Sequence, residues 1–187
     1  MKVALFEVCR RPDVLKPDTE AQVLSECLAH LRIAFELYTN DGFWADRPKA
    51  GSVLDRDRIR QCLDDPHIDI VHFAVHGGPT GLVLKWKGPL SRRVAADVLT
   101  GAEIRRMREF RNRLVVSGAC GSAGLAEDFL AAGAAAFVAP DVEIPWKDLG
   151  ILFQAFYAAL KRGATAKRAL GSAVAKHPEL SSYRVYA

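Results

Sequence analysis

No apolar run in the sequence approaches the ~20 residues that a membrane-spanning helix needs, which argues against a helical membrane protein. The opening stretch Met1 to Val8 is short, carries Glu7, and lacks both the longer apolar segment and the small-residue cleavage site of a secretory signal. It is expected to be the first strand of a cytoplasmic protein. There are four cysteines, Cys9, Cys27, Cys62 and Cys120, with neither disulfide-framework nor zinc spacing, so free thiols are expected. No metal motif, internal repeat or low-complexity segment is visible. Arginines gather at Arg92-Arg93 and at Arg105, Arg106, Arg108, Arg111 and Arg113, but no nucleic-acid motif accompanies them, and a solvated helix face accounts for them. The sequence thus points away from nucleic acid, membrane and metal.

What remains is a chain of 187 residues, 50% hydrophobic and 26% charged, with a formal net charge of +4. That length supports one domain with a real core, spanning residues 1–187. Apolar runs suited to buried strands fall at residues 2–8, 34–39, 68–75, 113–117 and 135–139. Helical patterns lie between them. One is opened by Thr19 with Gln22 three residues on, and one runs from about Asp55 to Asp65. Another covers about Gly101 to Phe110 after Thr100 and Glu103, and a fourth starts near Ala123. A strong amphipathic stripe runs from about Trp146 to Arg162, and a last helix opens at Thr165. Gly81 to Gly88 reads as a small hairpin or an edge excursion, and Ser182 to Tyr186 as a last strand. Asn40 to Val53, with Trp44 and Pro48, reads as an irregular substrate-side loop or a plain surface connection. The alternation predicts a three-layer α/β/α sandwich with a mostly parallel central sheet.

In such sheets ligands sit at the carboxyl ends of the strands. Two strands end there in chemistry: Val71-His72-Phe73-Ala74-Val75-His76-Gly77-Gly78 and Leu114-Val115-Val116-Ser117-Gly118-Ala119-Cys120-Gly121-Ser122. Among the cysteines, only Cys120 lies in a small-residue turn, with a helix N-terminus following that would favour the thiolate. By itself it also reads as a small buried hydrophobe. His76, 44 positions earlier, supplies the proton acceptor that nucleophilic cysteine catalysis needs. Backbone N–H groups at Gly77 and Cys120 would serve an oxyanion. His72, four residues before His76, reads as a core histidine with a hydrogen-bonded partner. Cys27 and Cys62 fall on apolar helix faces.

A cysteine with a histidine about 50 residues upstream is a caspase-type arrangement. The stretch VHFAVHG at residues 71–77 resembles the His-Gly strand of caspase-fold (clan CD) cysteine peptidases. Leu82-Val83-Leu84 followed by LTGAEI at 99–104, LVVSGAC at 114–120, LAEDFLAAGAAAFV at 125–138, and Phe156-Tyr157 to Leu170 resemble the CHAT domain in particular. That resemblance covers about residues 68–175. It implies a caspase-like fold and a His76–Cys120 dyad hydrolysing a peptide bond in a protein or peptide substrate, without cofactor, with a regulatory protein as a separate chain. Asp141 and Glu143 resemble the acidic loop with which separases and related enzymes bind arginine. Two departures stand out. Family members usually carry Glu-Thr-Gly after the cysteine, where this chain has Gly121-Ser122-Ala123-Gly124. Metacaspases carry an acid two residues before it, where this chain has Gly118. A catalytically silent caspase-like scaffold acting through a partner, and a glutaminase-like cysteine enzyme, are the competing readings. The second would need a histidine after the cysteine, and only His177 follows.

Overall fold

The structure is a computed structural model, and it describes residues 1–8, 20–39, 54–87, 94–143, 149–178 and 181–187. Within these the expected alternation is present: β1 (Lys2–Glu7), α1 (Glu20–His30), β2 (Ala34–Thr39), α2 (Arg56–Leu63), β3 (Ile70–Ala74), β4 (Gly77–Gly78), β5 (Gly81–Lys87), β6 (Val94–Thr100), α3 (Gly101–Ile104), β7 (Leu114–Ser117), α4 (Ala126–Ala131), β8 (Ala136–Pro140), α5 (Leu149–Lys161), α6 (Ala166–Lys176) and β9 (Tyr183–Tyr186). The central sheet has the order β2-β1-β3-β7-β8-β9. Every neighbouring pair in it is parallel except β8 with β9. The mostly parallel three-layer sandwich read from the sequence is therefore the fold.

The two faces of the sheet explain the strand composition. Successive side chains on a strand point to opposite faces. Ala4, Phe6, Val71, Phe73, Val115 and Phe137 bury into one core, with Ile59 and Leu63 of α2, Phe110 and Phe129. Val3, Leu5, Ile70, Val116 and Val138 bury into the other, against α1, α5 and α6. A strand covered on both sides cannot alternate apolar with polar, and these do not. The helix starts are set by side-chain caps. Asp55 accepts from Arg58 N at 2.7 Å, and Thr100 and Glu103 form a complete capping box.

Three expectations change. The helix expected from Gly101 to Phe110 is two pieces, α3 and a 3₁₀ turn at Arg108–Phe110. Ile104, Met107 and Phe110 all reach the core at a spacing of three, which suits 3₁₀ geometry and not a continuous α-helix. The small hairpin is a three-stranded antiparallel sheet, β4-β5-β6. The helix after Cys120 begins as a 3₁₀ turn, Ser122–Leu125, before α4. Cys9, the Thr19 cap, the Asn40 to Val53 loop, Arg92-Arg93 and Trp146 lie outside the described residues.

The chain order places a switch at β1, the second strand from one edge of the sheet, which has β2 on one side and β3 on the other. Crevices at such points, at the carboxyl ends of the strands, are where open α/β sheets bind ligands.

Candidate active site

The register of β3 and β7 fixes the site. His72 lies opposite Val116 and Phe73 opposite Ser117. His76 is three residues past Phe73, and Cys120 is three past Ser117. The pairing continues beyond the strands: Gly118 N donates to Phe73 O at 2.9 Å. Further on, Gly77 and Ala119 touch, since a Cβ built at Gly77 would stand 3.0 Å from Ala119 Cβ and 2.8 Å from Gly81 O. The residue before Gly77 and the residue after Ala119 therefore emerge at one edge of one sheet. His76 is exposed there, while Gly77 and Cys120 are half-buried.

The cysteine turn is held from beneath by two buried hydroxyls. Ala119 N donates to Ser117 Oγ at 3.2 Å, Ser122 Oγ donates to Ala119 O at 2.7 Å, and the two serine oxygens are 2.9 Å apart. Ser122 has one proton to give, so Ser117 donates in the hydroxyl pair and a closed ring results. Gly121 then takes a left-handed φ of 58°. That conformation is cheap for glycine and turns the chain into the 3₁₀ start of the next helix. Two other loops close on this turn. Gly121 N donates to Val142 O at 3.0 Å, which brings the loop carrying Asp141 and Glu143 alongside. Pro79 presses on Gly124, where a Cβ would fall 2.7 Å from Pro79 Cα.

Asp141 is 41% exposed and faces Arg184 at 3.7 Å. Glu143 is exposed.

His72 behaves as expected of a core histidine: fully buried, with Phe153 edge-on at 4.6 Å. Its partners are residues that sequence reasoning did not single out. Nδ1 meets Tyr157 Oη at 2.9 Å, and Nε2 meets Glu20 Oε1 at 2.7 Å. Glu20 is the first residue of α1. Its carboxylate lies against Gly118, where a Cβ would fall only 2.7 Å from Glu20 Cδ. Tyr183, in β9, is 2% exposed, and its hydroxyl has no hydrogen-bond partner among the described residues. Burial raises this phenol well above its ordinary value, with the charges of Glu20 and Cys120 adding to the rise. In the sequence Glu20 looks like an acid favouring a helix N-terminus and Tyr157 like one more residue of an apolar stripe. The pairing is visible only once the sheet and α5 are stacked.

With this geometry in hand, the family model of the CHAT domain matches residues 13–183. The chain belongs to the CHAT domain family. Among solved structures, this CHAT domain is similar to the Arg-specific cysteine proteinase gingipain R, with a TM-score of 0.58 at 11% identity. The match covers 98% of this chain and 45% of that one, so the CHAT domain spans less than half the length of the protein it matches. At that identity the likeness establishes the caspase-like fold. No curated protein matches the chain. Among the described residues of the CHAT domain, no helix is long and apolar enough to cross a membrane.

Proposed function

We propose that this CHAT domain is a cysteine endopeptidase whose dyad is His76 and Cys120. The carrying observation is the β3–β7 register, which brings both positions to the same carboxyl edge. In the proposed reaction the imidazole of His76 takes the proton of the Cys120 thiol. The sulfur then attacks the scissile carbonyl carbon. The carbonyl oxygen becomes an oxyanion held by the backbone N–H groups of Gly77 and Cys120. Collapse expels the amine with the proton from His76 and leaves a thioester. Water, deprotonated by the same imidazole, hydrolyses it and restores the thiol. No metal or cofactor has a role. Asp141 and Glu143, held beside the cysteine turn through Val142, contact the substrate at the rim. The substrate is a protein or peptide in the cytoplasm, and a separate protein chain regulates access.

The test is cleavage of a peptide library by the wild-type protein and by Cys120→Ala and His76→Ala, with folding of each checked by circular dichroism. Both variants are expected to be folded and without detectable turnover. A Cys120→Ala protein that cleaves as fast as the wild type would end the proposal.

A further inference from the structure

Two fully buried hydroxyls, those of Ser117 and Ser122, lie beneath the cysteine turn. Val116, Ala119 and Leu125, close to them in the chain, are apolar and buried. A hydroxyl out of water costs stability unless it is hydrogen-bonded, and alanine would fill either place without that cost. The pair therefore calls for a role beyond filling space.

Both hydroxyls act on one residue. Ser122 Oγ donates to Ala119 O at 2.7 Å, and Ala119 N donates to Ser117 Oγ at 3.2 Å. With Ser117 donating to Ser122 across 2.9 Å, each serine gives one proton and accepts one. The peptide on either side of Ala119 is thus tied to the interior. Only one other bond printed by the turn holds the Ala119 carbonyl, from Ser122 N at 3.3 Å, beyond the usual range for an N–H donor. The hydroxyl is the shorter tether.

The consequence lies one atom further along. The described chain has no cis peptide. In a trans peptide the carbonyl and the following N–H point in opposite directions. Holding Ala119 O inward on Ser122 therefore turns the Cys120 N–H outward, away from the buried pair. Gly121, with its left-handed φ of 58°, leaves the backbone beyond the cysteine easy to rotate. A rotated Ala119–Cys120 peptide would direct a carbonyl oxygen outward, where an oxyanion needs a donor.

We propose that Ser122, backed by Ser117, is a positioning residue that keeps the Cys120 N–H aimed at the carbonyl oxygen of the substrate. This rests on the reading of Cys120 as the nucleophile of a peptidase. Ser122 is fully buried, so it acts through the Ala119–Cys120 peptide. The oxygen gains its charge only when the sulfur has added, so the pair serves the tetrahedral species and leaves binding of the intact peptide unchanged.

The experiment separates these two states. Four acetyl-Ala-Ala-X aldehydes, with Ala, Leu, Lys or Glu as X, are titrated against the wild-type protein with their matching alcohols, and the tightest aldehyde is carried forward. The Cys120 thiol adds to the aldehyde carbon: a carbon–sulfur bond forms, the carbonyl π bond breaks, and the thiol proton passes through His76 to the oxygen, which sits where the oxyanion would. The alcohol cannot react. The aldehyde is expected to bind the wild type at least tenfold more tightly than the alcohol. Ser122→Ala should weaken the aldehyde about tenfold while leaving alcohol binding and the rate of Cys120 alkylation by iodoacetamide, which needs no oxyanion, as they were. Ser117→Ala keeps the Ser122 bond to Ala119 and should weaken the aldehyde about threefold, which keeps the test decisive if the Ser122 variant folds poorly. An aldehyde advantage that survives in the folded variants overturns the proposal. So does an equal loss for aldehyde, alcohol and alkylation, which marks a purely structural pair, and so does a wild type with no aldehyde advantage. A wild type that cleaves peptides through Cys120 while its aldehyde advantage ignores Ser122 keeps the peptidase reading and loses only the positioning pair. A Ser122-dependent advantage in a protein that cleaves nothing keeps the pair and removes the peptidase reading.

Discussion

Replacing Gly118 with alanine isolates the contact on which the buried polar group depends. A Cβ at this position meets the carboxylate of Glu20, not backbone. The far end of a flexible side chain yields more easily than a main chain, so Glu20 should swing away. The cost is then not steric. It is the loss of the 2.7 Å bond to His72 Nε2, which leaves an imidazole N–H in the core with no acceptor. Hydrogen bonds to charged groups contribute about 1.5–3 kcal/mol, and Gly118→Ala should destabilise the protein by that amount. For a chain of this size that is a fall in melting temperature of about 2–4 °C for each kcal/mol. Glu20→Ala loses the same bond and should cost the same. The double variant should then cost no more than either single one, within about 0.5 kcal/mol, because the bond can be lost only once. Equilibrium urea unfolding gives all four stabilities, with a constant m-value as the check on two-state behaviour. Additive losses, or a Gly118→Ala protein as stable as the wild type, would show that Glu20 and residue 118 do not share this space.

Two further outcomes follow from the charges and thiols. Arg56 joins α2 to Asp97 at 2.6 Å, Glu103 at 2.6 Å and Val98 O at 2.8 Å, and it holds the Glu103 carboxyl down at about 2. A depressed acid stabilises the fold above its ordinary value of 4.5 and loses that contribution as pH falls through about 2. These side chains are about one-third exposed, so Arg56→Ala should cost only about 1 kcal/mol at pH 7 in thermal unfolding, and the difference from wild type should shrink towards zero near pH 2. A difference that persists at pH 2 would mean that packing by the arginine stem, not charge, is what matters. Burial pushes the Cys27 thiol up to about 11. Brief treatment of the native protein with iodoacetamide, followed by peptide mass mapping, should therefore label half-buried Cys120 well before Cys27, and equal labelling would contradict the packing of α1.

The parts of the molecule legible in the sequence are those with a period or a cap. The inner strands β3, β7 and β8 are nearly continuous apolar runs, and Thr100 with Glu103 announces a helix start that the structure reproduces hydrogen bond by hydrogen bond. The end of that helix was not legible. Ile104, Met107 and Phe110 satisfy a three-residue spacing that an α-helical reading absorbs as one face. β6 was missed because Val94 to Thr100 has Ala95, Ala96 and Asp97 at its centre and pairs only through the irregular register of β5. At the site, the two strand ends could be read because small residues stop an apolar run abruptly. Glu20, Tyr157 and Tyr183 could not. Glu20 and Tyr157 meet His72 across 52 and 85 residues of chain, and nothing local marks a partner so far away. His72 was half-legible: a histidine inside a buried run needs a hydrogen-bonded partner, but the sequence does not say which.

The residues after Cys120 depart from the usual family pattern, and the structure gives that departure a physical sense. Gly121-Ser122-Ala123-Gly124 puts no acidic residue in the four positions after the cysteine, and three of these small residues have tasks of their own. Gly121 adopts the left-handed turn and offers its N–H to Val142. Ser122 closes a hydrogen-bonded ring with Ser117 and the Ala119 carbonyl below the cysteine. Gly124 lets the Pro79 turn, which follows His76 and Gly77, lie directly on the start of the helix. The loop after β3 and the loop after β7 are thus locked to each other by backbone contact. Their relative position does not depend on the histidine and the cysteine themselves. A site built this way can lose either side chain and keep its shape, which is the condition under which replacing one of them reports on chemistry and not on folding.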